Sequence, residues 1–145
     1  MDAKPPELPP NLPQDLRDFV ECRTTSVAIK DGPQAWVGVP DGAKGFLSPG
    51  AAPELRIEPG ASPEAMTIKV GLGMFSVSLP ATIRDGRLSI DTRALPWLAP
   101  ASIGTAITTY VDSLNAWFAA NGKGLALPEF GPGEVVLRLV DVPAS

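Results

Sequence analysis

Apolar residues alternate with polar ones most regularly between Met66 and Ile90. Met66, Ile68 and Val70 are interleaved with Thr67 and Lys69, and Phe75, Val77, Leu79, Ala81 and Ile83 with Ser76, Ser78 and Thr82. A period of two predicts strands with one face buried. The phase changes across "GLGM", which predicts a tight turn at Leu72-Gly73 and pairs Val70 with Phe75, Ile68 with Val77 and Met66 with Leu79. Asp85-Gly86 is the strongest hairpin signal in the chain. A two-residue turn there pairs Arg84 with Arg87, Ile83 with Leu88 and Ala81 with Ile90. A three-stranded meander over 66–92 follows, with Pro80, which has no N–H to donate, at a bulge or a non-bonded position.

The period then changes. In "ASIGTAITTYVDSLNAWFAANG", Ile103, Ile107, Tyr110, Val111, Leu114, Trp117 and Phe118 recur at helical spacing. Pro100 fits a first turn and Asn121-Gly122 a C-terminal stop, so a helix is expected over about 101–121. "EVVLRLVDV" predicts a closing strand with Val135, Leu137 and Leu139 on one side. Earlier in the chain, "NLPQDLRDFVEC" predicts a short helix with Asn11 as N-cap and Leu16, Phe19 and Val20 as its apolar stripe. "SVAIK" and "AWVGV" read as strands around the turn "DGPQ", "DGAKG" as a second turn, "GFLSPGAAP" as loop, and "ELRIEP" as a strand with Leu55 and Ile57 on one face. The prolines at 5, 6, 9, 10 and 13 make residues 1–13 a polyproline-type arm. The expected fold is α+β: one domain over 14–145, an antiparallel sheet built from the 66–92 meander and the C-terminal strand, and one main amphipathic helix packed on it.

Composition narrows the possible chemistry. The chain of 145 residues carries a net charge of −4 and no Lys or Arg cluster, which argues against a nucleic-acid partner. It has no histidine and one cysteine, Cys22. The commonest general base, the commonest transition-metal ligand and any intrachain disulfide are therefore missing. There is no G-x-S-x-G, no zinc-ligand spacing and no EF-hand loop, and "GVPDGAKG" lacks the spacing of a phosphate-binding loop. Asp85 belongs to a turn, and nothing in the sequence sets Asp91 beside Asp112. No enzyme activity, cofactor or metal is expected. "MDAKPPELPP" has no basic n-region or apolar h-region, so the expected location is the cytoplasm, or outside it where a leader or anchor precedes the chain. No apolar run is long enough for a transmembrane helix.

Charge is uneven along the chain. Between Ala94 and Val111 there is none, and Asp112 is the one charged residue of the expected helix. The polar face of that helix reads as Gly104, Thr105, Thr108, Thr109, Ser113 and Asn115, where a water-facing helix normally carries Lys and Glu. Such a face is either covered by the proline-rich N-terminal half, or plain surface, or a contact with lipid, ligand or another subunit. Tryptophan, apolar with one donor, favours contacts of the last kind. The candidate contact residues are Met74, Phe75, Trp97, Leu98, Tyr110, Trp117 and Phe118.

The order of strand, "IRDGRLSID", apolar linker, helix with "LNAWFAANG" and closing strand over 66–142, with Asp85-Gly86, Asn115 and Gly122 as its motifs, resembles bacterial extracytoplasmic domains of the tubular lipid-binding type. The resemblance implies a curved antiparallel sheet wrapped on a helix, with lipid in the groove. The expected function is a non-catalytic binding domain for an apolar ligand, lipid or membrane-associated partner. The alternative is a structural or assembly subunit that docks on other protein chains through the neutral helix face.

Overall fold

The computed structural model describes residues 8, 12–34, 52–73, 75–94 and 101–142. The elements run α1 (Gln14–Val20), β1 (Ser26–Lys30), β2 (Gly32–Pro33), β3 (Glu54–Pro59), β4 (Ala65–Leu72), β5 (Phe75–Arg84), β6 (Arg87–Ile90), a 3₁₀ turn (Thr92–Ala94), α2 (Ala101–Ala120), β7 (Lys123–Leu125), β8 (Glu129–Gly131) and β9 (Glu134–Asp141). The fold is α+β, as the periodicities require. The strands for "AWVGV", the "DGAKG" turn, the "GFLSPGAAP" loop and most of the proline-rich arm lie outside the described residues.

The strands form two antiparallel sheets, one of five strands in the order β2-β3-β4-β5-β6 and one of four in which β9 pairs with β1, β7 and β8. The closing strand therefore does not extend the meander: β9 takes β1 as partner, Ile29 opposite Val135 and Val27 opposite Leu137. β6 cannot accept another strand along its outer edge, because that edge is already occupied. Leu88 N–H donates to Asn115 Oδ1 at 2.9 Å and Leu88 C=O accepts from Asn115 Nδ2 at 2.7 Å. Nearby, Leu125 N–H donates to Gly86 C=O at 2.9 Å, which joins the two sheets at one seam. At the other seam β1 runs through Asp31 into β2, and Asp31 N–H donates to Gly133 C=O at 2.9 Å.

The Asp85-Gly86 turn has the expected register, Arg84 opposite Arg87 and Ala81 opposite Ile90. Both turn residues have positive φ, 54° and 80°, as a twist-matched two-residue hairpin demands. The β4–β5 turn is one residue later than the sequence reading placed it. Leu72 pairs with Phe75, Val70 with Val77, Ile68 with Leu79 and Met66 with Ala81. Gly73, at φ 69°, is the residue that tolerates this conformation. A turn moved by one residue shifts pairing by two, so every side chain keeps its face. Pro80 lies opposite Thr67, and its carbonyl accepts Asp91 N–H at 2.8 Å. The bond it cannot donate falls just past the end of β6.

One hydrophobic core serves both sheets and both helices. Phe19 of α1, Val27 of β1, Met66, Ala81 and Ile83 of the meander, Phe118 of α2, Leu125 of β7 and Leu139 of β9 form a single buried cluster. Val135 and Leu139 face inward from β9, as expected, with Leu137 partly buried. α2 lies across the seam between the sheets, against β6, β7 and the 3₁₀ turn. Close approach there depends on glycine: a Cβ on Gly124 would stand 2.9 Å from Val142 Cγ1 and 3.1 Å from the Gly86 Cα.

Candidate functional site

α2 stops where its sequence ends the apolar repeat. Asn121 N–H donates to the carbonyls of Trp117 and Phe118, its side-chain amide donates to Trp117 C=O at 2.8 Å, and Gly122 follows at φ 70°. These bonds satisfy the last carbonyls of the helix. The inner face presents Val111 and Phe118, with Leu114 and Trp117 partly buried against the core. Asn115 is also on this face, at 6% exposure, and not on the polar face where helical position alone placed it. Its amide supplies one acceptor and one donor in a plane, which matches the outward N–H and C=O of Leu88, so its burial leaves nothing unpaired. Among the described residues no buried side-chain polar atom lacks a partner.

The outer face of α2 is open and carries a single charge. Thr105, Thr108, Thr109, Tyr110, Ser113 and Ala116 are exposed, and Asp112 is the one charge among them. Tyr110 retains 38% exposure, and partial desolvation pushes its phenol above the ordinary tyrosine pKa. Leu127 and Val140 are the other large apolar side chains left exposed among the described residues.

The candidate contact residues divide. Tyr110 is on the outer face. Trp117 is half-buried and donates its indole N–H to Val20 C=O at 2.9 Å, which ties α2 to α1. Phe118 is 1% exposed and meets Phe19 edge to face, ring centroids 6.1 Å apart at 73°. Trp117 and Phe118 thus stand together at one end of the core, beneath α1, whereas Tyr110 lies about two turns away. Phe75 takes its place in β5. Met74, Trp97 and Leu98 lie outside the described residues.

α1 itself starts later than expected. Its N-cap is Pro13, without a side-chain cap bond, and not Asn11, which lies outside the described residues. Phe19 is its buried residue, with Leu16 and Cys22 partly buried beside it. Burial raises the Cys22 thiol pKa, with Lys123 as a smaller opposing influence. The thiol is therefore protonated at neutral pH, which does not suit a nucleophile.

A surface cleft of about 410 Å³ lies at the β2 end of the five-stranded sheet, lined by Asp31, Glu54, Leu55, Arg56, Lys69 and Ser76 with two glycines. Each of its cations faces a carboxylate: Arg56 stands 3.6 Å from Asp31 and 3.4 Å from Glu58, and Lys69 2.9 Å from Glu58. The Lys69 hydrogen bond, then the charges of Lys69 and Arg56, hold the Glu58 carboxyl below its usual range. Asp91 is likewise engaged by Arg93 through three hydrogen bonds of 3.0–3.1 Å. Among the described residues no three His, Cys, Asp or Glu side chains gather where they could hold a metal ion, and no helix is long and apolar enough to cross a membrane. Compared with family models, curated proteins and solved structures, the chain has no significant match to any.

Proposed function

We propose that this chain is a non-catalytic binding domain for a lipid or other apolar ligand, which meets it first through the outer face of α2. The observation that supports this reading is the exposed surface from Thr105 to Ser113, on which Asp112 is the one charge and Tyr110 the one aromatic ring. It is continuous in sequence with the apolar run "ALPWLAP". Hydroxyl groups and small side chains cost little to remove from bulk water when they find partners, and an aromatic ring with a polar tip suits a boundary between apolar and wet surroundings. Net charge of −4 gives no attraction to anionic headgroups, so binding of this kind depends on apolar contact.

Flotation with phosphatidylcholine vesicles tests the reading. The chain is expected to float with the vesicles equally well at low and high salt, and Thr108→Glu, which sets a charge on the outer face of α2, is expected to reduce the floated fraction severalfold. Failure to float at either salt concentration contradicts it.

A second reading has its own support. Tyr110, Leu127 and Val140 are exposed as protein-docking side chains often are, and they would serve an assembly subunit equally well. A mass of twice the chain or more in solution, with no lipid bound, favours that reading.

A further inference from the structure

β3, β4 and β5 turn alternate residues toward the core and away from it. On the outward face Glu54, Gly71 and Ser76 form one row across the three strands, and Arg56, Lys69 and Ser78 form the next. Gly71 is the gap in this surface. A glycine inside a strand weakens it, and marks a bulge, a tight bend or the close approach of a ligand or another backbone. No bulge or bend requires this one: the register runs unbroken through Gly71 to both neighbouring strands, and its φ is not positive. No other backbone crowds it either, since a Cβ there would meet nothing nearer than Glu54 Cβ at 3.5 Å. What the missing side chain leaves is room in the cleft of about 410 Å³ that Asp31, Glu54, Arg56, Lys69 and Ser76 line.

The charges around that space are incompletely matched. Arg56 and Lys69 share Glu58, and Arg56 stands 3.6 Å from Asp31, whereas Glu54 has no ion pair or side-chain hydrogen bond among the described residues. Arg56 meets these carboxylates through Nε and Nη1, which leaves Nη2 to donate elsewhere, and the Lys69 ammonium has three donors. We propose that the cleft over Gly71 binds a small zwitterion, a molecule with a primary ammonium group and an oxyanion a few ångströms apart. The ammonium lies against the Glu54 carboxylate, with the Ser76 hydroxyl as a further acceptor, and the oxyanion takes donors from Lys69 and Arg56. A simple cation or anion would leave half of the site facing its own sign of charge. Two sources carry this chemistry, a free amino acid and the headgroup of an ethanolamine phospholipid. The site is built from β3, β4 and β5 without α2, so it goes beyond the lipid reading and does not depend on it.

The test is an NMR titration of the isotope-labelled full chain with L-alanine and, separately, with O-phosphoethanolamine, each to about 10 mM, a range that suits ligands of so few atoms. Saturable shifts are expected in the amides of residues 54–56, 69–71 and 76–78. Gly71→Val sets a β-branched side chain in a strand where its Cβ has room, so the variant should fold, fill the cleft and bind about tenfold more weakly or not at all. Glu54→Gln keeps the shape and removes the charge, and should bind about tenfold more weakly. A response to L-alanine assigns the site to free amino acids, and a response to O-phosphoethanolamine alone assigns it to the lipid headgroup. No saturable shift with either compound, or shifts that Gly71→Val leaves unchanged, overturns the proposal.

Discussion

The β4–β5–β6 meander and the α1 end of the core close the same hydrophobic cluster by different means. The meander does it with backbone: eight residue pairs between β4 and β5, four between β5 and β6, and an outer edge sealed by Asn115 and by Leu125. α1 does it with side chains: Phe19 on Phe118, Leu16 and Cys22 against the cluster, and Val20 C=O on the Trp117 indole. Ladder bonds within a sheet open cooperatively, whereas a two-turn helix attached by side chains can open by itself. The α1 end is therefore expected to open before the meander does.

Variants can break or sharpen this contrast. Phe118→Ala should have the largest effect, because Phe118 belongs to both regions. A buried phenylalanine lost from a core costs about 3–5 kcal/mol, and urea denaturation should show one cooperative transition at much lower denaturant. Asn115→Leu comes next and acts on the meander side. It leaves the N–H and C=O of Leu88 unpaired at a cost of about 2–4 kcal/mol, and the Leu88 amide should lose exchange protection before those of β4. Gly86→Ala should cost about 1–2 kcal/mol in the same denaturation assay, since φ 80° disfavours any Cβ and the new methyl would stand 3.3 Å from the Gly124 Cα. Trp117→Phe should cost about 1 kcal/mol, confined to α1, with exchange faster in residues 16–22 and unchanged in β5.

The smallest effect is a pH dependence at Tyr110, the chain's one tyrosine. Desolvation raises its folded pKa above the unfolded value. Its contribution to stability is then fully present below the ordinary tyrosine pKa of about 10 and is lost as pH rises through the raised folded value. Ultraviolet difference titration should place its ionisation above that of a free tyrosine, and higher again with lipid bound, if the outer face of α2 is the contact.

What could be read from the sequence were features that rest on local chemistry. Asp85-Gly86 set its own register, and Gly122 ended α2, because positive φ is a demand that few residues meet. The face assignment of β4 and β5 survived a misplaced turn, because alternation fixes faces and only the loop fixes partners. The partition into two sheets was not legible. It depends on β9 meeting β1, more than a hundred residues away, and on a side-chain amide taking the edge of β6. Asn115 was hidden for the same reason: an asparagine on a helix is polar in any count, and only the backbone of Leu88 opposite makes it a core residue. The pairing of Trp117 and Phe118 beneath α1 was half legible. Their helical spacing marked them as neighbours on α2, but the carbonyl of Val20 and the ring of Phe19 come from a helix 97 and 99 residues earlier in the chain.

The most direct test of lipid binding by this chain is native mass spectrometry of the intact chain after incubation with phosphatidylcholine vesicles, followed by denaturation and solvent extraction. The expected result is an adduct of several hundred daltons that is released on denaturation and extracts as intact phospholipid. Bare polypeptide alone, from protein that remains folded throughout, would contradict it.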